Sequence, residues 1–359
     1  MGKRNKITTR DIAEYAGVSQ STVSMILSEK KNVSFGGETV EKVRNAAKTL
    51  GYHKPVKKKR PLDRSLSRTV MILCPTVSNG YYSTVVHSII EKAQEYGYTA
   101  LTAVTFRSAD REDAYFGMFA ENELAGVIAL YPLTKYAEAN ALSKHVPVVS
   151  IGEKPDGIRF NSVELDSKKP AWLMAEHLVE LGHRHIAYIS APVVKKEISR
   201  TRRLGGMQQY YREAGLDPSF IELFCPTQKA YAEYPHTGAE YRTGYDMTVR
   251  ALDAGTKATA FVGNSDDIAF GILAALADRG FRIPEDYSVG GFDNHRLSGL
   301  PQIALTTVDH SSWKKGQNAV EIIYRRNNLG AGEIESSPII RMEYEPKLII
   351  RRTTGPVSL

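Results

Sequence analysis

The chain has 359 residues, 42% apolar and 24% charged, with a formal net charge of +7. That composition excludes a disordered chain, and the length is too great for one ordinary domain. The charge is uneven: residues 1–68 hold 16 lysines and arginines against 6 acids, and the rest is slightly acidic. A basic head on a near-neutral body is the footprint of a polyanion binder. Cys74 and Cys225 are the only cysteines and neither sits in a CxxC, which argues against a disulfide framework or a zinc site. No apolar run approaches a membrane span, and the basic N-terminus lacks an apolar signal core. No membrane partner and a cytoplasmic location are therefore expected.

In chain order, Thr8-x-x-Asp11 resembles a capping box that opens a first helix, with Ile12, Ala13 and Ala16 on its inner face. Gly17 supplies a tight turn and Ser19 can cap a second helix. Val23, Ile26 and Leu27 share one side of that helix, while Gln20, Ser21, Ser24 and Met25 share the other. A third helix is expected from about Glu38 to Leu50, buried through Val40, Val43, Ala47 and Leu50 and stopped by Gly51. A generic three-helix bundle would share the core pattern, but not the polar stripe on a basic head. Residues 53–68 contain Pro55, Pro61 and the charge run Lys57–Arg60, and read as a linker.

From Thr69 short apolar strands alternate with amphipathic helices. Strands are expected at 69–75, 99–104, 126–130, 146–151, 185–190, 259–263 and 288–292. Helices are expected at 83–96, about 109–122, 170–181, 202–214 and 266–279. Repeated β-α units imply parallel sheets covered by helices on both faces. Ligands of such sheets bind beyond the carboxyl ends of the strands. The residues that follow strands there are Ser78–Tyr82, Tyr131, Ser265-Asp266 and Asp293-Asn294.

The run Ile7-Thr8-Thr9-Arg10-Asp11-Ile12-Ala13-x-x-Ala16-Gly17-Val18-Ser19-x-x-Thr22-Val23-Ser24, with Leu50-Gly51-Tyr52, resembles the head of the lac repressor (LacI/GalR) family of transcription regulators. The resemblance continues through Ser78-Asn79-Gly80-Tyr81-Tyr82, Glu180–Ala187, Arg203-x-x-Gly206-Met207, Ser265–Ala269, Ile283–Ser288 and Gly291-Phe292-Asp293-Asn294. It implies an all-α helix-turn-helix head, 1–52, and a linker or hinge helix, 53–68. Beyond them it implies an α/β core of two Rossmann-like subdomains of the periplasmic-binding-protein type. The first would hold 69–166 and 311–336, the second 167–310 and 337–355, with the chain crossing near 166, 310 and 336.

The same resemblance assigns DNA contact to Thr8, Ser19, Gln20, Ser21, Thr22, Ser24, Met25 and Tyr52. Gln20 and Ser21 take the first two base-reading positions, and glutamine can pair bidentately with adenine. Met25 takes a third, where many members carry arginine. In the family a hinge leucine enters the minor groove; Leu62 falls there counting back from the first strand, and Pro61 counting forward from Tyr52. The family's VSxxT spacing is stretched by two residues over Val33–Thr39.

For the core, the resemblance implies a small effector, in most members a sugar or related metabolite, bound by Tyr81, Tyr82, Tyr131, Arg203, Ser265, Asp266 and Asp293. Tyr81 and Tyr82 could stack on a sugar or be core aromatics. Arg203 could grip hydroxyls or a carboxylate, or be a solvated helix residue. Asp293 could accept from hydroxyls or cap a turn. Ser265 replaces a common asparagine, with Asn264 next door, and Gly152-Glu153 stands where many members have Asp-Arg. No HExxH, GxSxG, GxxxxGK or GxGxxG occurs, so no catalysis, cofactor or metal is expected. The resulting expectation is a homodimeric repressor that reads a near-palindromic operator under effector control. A core answering to a protein partner, or an enzyme fused to a DNA-binding head, are the alternatives.

Overall fold

The computed structural model describes residues 8–27, 35–50, 52, 66–153, 157–193, 198–235, 237–330 and 337–358. The chain divides into two units, Met1–Arg64 and Ser65–Leu359. The linker residues 53–65, and Leu62 with them, lie outside the described residues.

The first unit holds α1 (Thr9–Ala16), α2 (Gln20–Leu27) and α3 (Gly37–Thr49). The capping box is reciprocal: Thr8 N donates to Asp11 Oδ2 at 2.7 Å, and Asp11 N donates to Thr8 Oγ1 at 3.4 Å. Gly17 stands at φ +66 between the first two helices. Ile12, Val23, Ile26, Val43 and Ala46 form the core, with Leu27, Phe35, Val40, Leu50 and Tyr52 packed around it. Ala46 joins Val43 and Ala47 as the buried residues of α3, while Val40 in its first turn and Leu50 at its end pack partly buried at the edge of the core.

The second unit begins with β1 (Thr69–Cys74), α4 (Gly80–Glu95), β2 (Thr99–Val104), α5 (Ala109–Ala120), β3 (Gly126–Ala129), α6 (Tyr136–Leu142), β4 (Val148–Gly152) and β5 (Asn161–Glu164). Next come α7 (Lys168–Glu180), β6 (Ile186–Ile189), α8 (Ile198–Glu213), β7 (Ile221–Phe224), α9 (Gln228–Ala232) and α10 (Ala239–Asp253). They are followed by β8 (Ala260–Gly263), α11 (Asp266–Asp278), β9 (Ser288–Phe292) and β10 (Thr306–Asp309). The chain closes with α12 (Ser312–Asn327), β11 (Arg341–Glu343) and β12 (Lys347–Ile349).

Two six-stranded sheets result, in the orders β11-β5-β4-β3-β1-β2 and β12-β10-β9-β8-β6-β7. Every pairing is parallel except β10 with β12. Both faces of each sheet are covered, as period-2 alternation requires. On β1, Val70 and Ile72 pack under α4 and α12, while Met71 and Leu73 pack under α5 and α6. On β6, Ile186 and Tyr188 face α7 and α8, while Ala187 and Ile189 face α10 and α11.

Three crossings join the subdomains: between β5 and α7, between β10 and α12, and between β11 and β12. The third corrects the expectation of 336. Arg341–Glu343 still pairs with Ser162–Glu164 of the first sheet, so the crossing falls at 344–346. Three core helices start two or more residues earlier than expected, α7 at Lys168 among them. In α4 the Asn79 side chain accepts from Tyr81 N and Tyr82 N and moves the start back to Gly80; α8 begins at Ile198.

Candidate effector cleft and DNA-reading face

A cleft of about 720 Å³ opens between the two subdomains. It lies beyond the carboxyl ends of β1, β3, β8 and β9, as the topology of an open parallel sheet requires. Of the expected effector residues, Tyr81, Tyr82, Tyr131, Arg203, Ser265 and Asp293 line it.

Asp266 does not, and that expectation is corrected. Its side chain is fully buried, accepting from Thr307 Oγ1 and Ser298 Oγ, each at 2.5 Å, and from His295 N at 3.2 Å. Neighbouring helix positions are about 100° apart, so at the start of α11 Asp266 points inward and Asp267 takes the cleft.

Arg203 is 6% exposed. Its Nη1 donates to the main-chain oxygen of Asn264, and its Nη2 lies 3.1 Å from His310 Nε2 and 3.5 Å from Asp293 Oδ1. Burial holds the Asp293 carboxyl well above the usual range, against the pull of Arg203. Burial and the same guanidinium hold His310 well below its usual value, which keeps the imidazole neutral. Asp293 and Asn294 have φ of 123° and 49°, conformations that L residues rarely adopt. Strain of this kind persists where the surroundings fix it. Here Asn294 Nδ2 donates to Asp309 Oδ2, and Asn294 Oδ1 accepts from Arg351 Nη2 at 2.7 Å.

Tyr81 and Tyr82 pack edge to face at 5.1 Å. The Tyr82 hydroxyl accepts from Arg107 Nη2 at 3.0 Å. The Tyr131 hydroxyl donates to buried Glu112 Oε1 at 2.7 Å, so its ring, not its oxygen, is offered to the cleft. Ser265 caps α11 through Ile268 N and donates to Glu240 Oε2 at 3.1 Å. Asn264 Oδ1 is taken by Tyr188 OH at 2.6 Å. Glu153 is 4% exposed; it accepts from Ser167 N at 2.9 Å and lies 3.3 Å from Arg202 Nη1.

Hydrogen bonds also cross the cleft. Asn79 Nδ2 donates to Glu240 Oε2 at 2.6 Å and lies 3.2 Å from Asp267 Oδ2, while Gly80 N lies 3.4 Å from the same oxygen. A Cβ at Gly80 would come within 2.7 Å of the His295 ring, so glycine permits this approach. Burial first, then Asp267, raises the Glu240 carboxyl. The His295 imidazole is raised on balance: burial lowers it, and the neighbouring Asp267, Asp266 and Asp293 outweigh burial. At the hinge Lys315 is fully buried, with no hydrogen-bond partner among the described residues, and burial pushes its ammonium down to about 8.

Sequence reasoning missed Arg107, Arg200, Tyr231, Glu240 and Tyr241, which also line the cleft. Tyr231 and Tyr241 come from the connection between β7 and α10 and the first turn of α10, which carry no apolar periodicity. Glu240 had no motif to mark it.

On the head, Gln20, Ser21 and Ser24 are exposed and Met25 is half-buried along the outer side of α2. Gln20 Nε2 donates to Thr9 Oγ1 at 3.1 Å, which orients the amide. Ser19 Oγ accepts from Thr22 N at 3.1 Å and lies 2.7 Å from Ser21 Oγ and 2.8 Å from Thr22 Oγ1. Thr8 is spent on its capping box, and Tyr52 packs against the head core through a main-chain bond to Ala47.

A helix-turn-helix unit followed by a two-sheet clamp with a cleft between its subdomains defines a DNA-binding head on a periplasmic-binding-protein-like core. Residues 8–54 match the family of bacterial regulatory proteins, lacI family, and residues 175–354 match the periplasmic binding protein-like domain. The chain is 26% identical to the HTH-type transcriptional repressor PurR of Mannheimia succiniciproducens, over 98% of this chain and 99% of that protein. It is also 26% identical to catabolite control protein A of Priestia megaterium, over 90% of this chain and 93% of that one. Among solved structures, the Lac repressor bound to ONPG in its repressed state is similar at TM-score 0.66 and 25% identity, over 98% of this chain and 100% of that chain. A LacI family regulator from Enterococcus faecium with bound ribose is similar in fold, at TM-score 0.68 and 20% identity, over 81% of this chain and 100% of that one. This chain belongs to the lacI family of bacterial regulatory proteins. Among the described residues no helix is long and apolar enough to cross a membrane.

Proposed function

We propose that this protein is a cytoplasmic, homodimeric transcriptional repressor whose operator affinity is set by a small carbohydrate effector. Two heads read a near-palindromic operator through Gln20, Ser21, Ser24 and Met25 in the major groove. Leu62 in the linker is assigned to the minor groove. The effector lies against Tyr81, Tyr82 and Tyr131, with Arg203, Ser265 and Asp293 facing its hydroxyls.

The observation that carries this reading is the position of the cleft. Both subdomains line it, so a bound ligand acts on the angle between them, and a ligand preferring one angle shifts the population. The relatives named as repressors support the direction of control. PurR-type relatives make a nucleobase the competing effector class.

The test is fluorescence anisotropy of the full chain on an operator obtained by in vitro selection, titrated with sugars, sugar phosphates and nucleobases. A carbohydrate should change operator affinity at least about tenfold, and Arg203→Ala should abolish that response while the operator is still bound. A normal response in Arg203→Ala overturns the site assignment. A nucleobase response replaces the carbohydrate reading. No response to any small molecule favours a core that answers to a protein partner.

A further inference from the structure

We propose that the cleft is built for a neutral oligosaccharide of two or more rings. In this proposal the connection between β7 and α10, with the first turn of α10, supplies a second ring-binding subsite at Tyr231 and Tyr241. The proposal rests on the carbohydrate reading above and narrows it.

Size is the first argument. A single hexopyranose has the bulk of roughly six waters, about 180 Å³ at the liquid volume per water. The cleft measures about 720 Å³, so one ring leaves most of it to solvent.

The second argument is the connection itself. Strand-to-helix connections in α/β units usually take about 2–6 residues. This one runs over 225–238 and folds its own helix, α9, capped by Thr227 Oγ1 on Ala230 N at 3.2 Å. Long connections with structure of their own are where binding residues concentrate. Tyr234 anchors it: its hydroxyl donates to Asp246 Oδ2 at 3.0 Å, and Arg242 Nε holds the same oxygen at 2.8 Å. Tyr231 braces edge to face on Tyr234 at 6.0 Å. Tyr231 and Tyr241 thus line the cleft from a fixed support, and Tyr241 is 47% exposed. Tyr81, Tyr82 and Tyr131 line it from the first subdomain. Aromatic faces at two places along one cleft suit two successive sugar rings, whose C–H faces stack while their edges hydrogen-bond.

Charge is the third. The described residues lining the cleft include Arg107, Arg200 and Arg203 against Glu153, Glu240, Asp267 and Asp293. Each arginine already donates within the protein: Arg107 to Tyr82 OH, Arg200 to the Pro192 main-chain oxygen and Arg203 to that of Asn264. With every guanidinium of the lining already engaged, none offers its whole fork, which disfavours a phosphate or carboxylate ligand. Alternating donors and acceptors suit hydroxyls.

Calorimetry on the full chain tests this with four series of one, two and three units: glucose (both α and β linkages), galactose, mannose and xylose. In at least one series the disaccharide or trisaccharide should bind at least about 30-fold tighter than its monosaccharide. Tyr231→Ala should cut that ratio below about 3, and Tyr231→Phe, which keeps the ring, should retain most of it. Matched thermal unfolding of the variants excludes a folding defect.

Equal affinity for monosaccharide and oligosaccharide overturns the proposal, as does binding of a sugar phosphate alone, an unaltered ratio in Tyr231→Ala, or no binding in any series. If a monosaccharide still moves operator affinity, only this inference fails; if only a nucleobase does, the carbohydrate reading fails with it. If no small molecule does, the effector reading fails with it.

Discussion

Replacing Asn79 by Asp isolates the hydrogen bonds that cross the cleft. A carboxylate at 79 can still accept from Tyr81 N and Tyr82 N, so the cap of α4 is kept. What changes is the other atom of the side chain: an oxygen replaces the nitrogen that now lies 2.6 Å from Glu240 Oε2 and 3.2 Å from Asp267 Oδ2. At an effective dielectric of about 20, two like charges about 3 Å apart repel by roughly 5 kcal/mol. Protonating one carboxyl caps that cost. From an ordinary carboxylate pKa near 4 to pH 7 it comes to about 4 kcal/mol, at about 1.4 per pH unit. The closed arrangement should therefore lose about 3–4 kcal/mol relative to an open one, a shift of roughly two to three powers of ten. Pulsed electron resonance can read it from spin labels on cysteines placed at exposed Met118 and Leu297, one per subdomain, with Cys225 changed to Ser. Asn79→Asp should lengthen the distance and weaken effector binding. Adding Glu240→Gln, whose amide can donate to the new carboxylate, should restore much of both. An unchanged distance distribution in Asn79→Asp, or no rescue in the double variant, would refute the reasoning.

The same contacts set a pH dependence. Glu240 is raised in the closed cleft, so it holds its proton there at pH values where the opened group has lost it. His295 is raised by Asp267, Asp266 and Asp293, which share its subdomain and stay beside it when the cleft opens, so it does not drive closure. Glu240, raised first by burial, binds more protons when closed, and closure must weaken as pH rises from about 4.3 through its raised value. The label distance measured between pH 5 and 8 should lengthen with pH, and Glu240→Gln should flatten that dependence; a distance that shortens with pH reverses the assignment. On the head, Gln20→Ala and Ser21→Ala should change the bases selected from a random library. Losing a bidentate contact should cost about 1–3 kcal/mol of discrimination at one position, and an unchanged selection profile would remove both from base readout.

Where burial and periodicity decide, the fold was legible in sequence. The strands at Thr69, Gly126, Ile186, Ala260 and Ser288 are short apolar runs whose two faces are both covered, and the edge strand at Thr99 kept its apolar residues although it is largely exposed. The elements missed lack that signal. α10 buries Thr243, Gly244 and Thr248, small or polar residues, because its Gly244 meets Gly271 of α11 at backbone contact. α12 buries Lys315 and Gly316 within its first turns. β11 alternates exposed and half-buried residues and is a strand only because Asn161–Glu164 offers an edge. In the site, the first-strand motif led to Tyr81 and Tyr82. Choosing between Asp266 and Asp267 needed the helix phase, which a two-residue motif does not contain.

The buried charges gather where the chain crosses between subdomains, and this links the cleft to the hinge. Arg203 belongs to the second subdomain, His310 lies in the second crossing, and Lys315 opens α12 of the first. Positive φ values mark the same region at Asp293, Asn294 and Ser311. Ser311 N donates to Asp309 Oδ1 at 2.6 Å, and Asp309 also receives Asn294 Nδ2. A ligand hydroxyl donating to Asp293 would compete with Arg203 for the same oxygen, and the same Nη2 of Arg203 lies 3.1 Å from His310 Nε2. The imidazole is neutral and is held from one side only, since its Nδ1 has no hydrogen-bond partner among the described residues. A changed partner at Asp293 therefore acts on the crossing residue itself. Coupling requires a ligand to make different contacts in two states of one element, and the second crossing, strained and in contact with the cleft floor, is the element placed to have two.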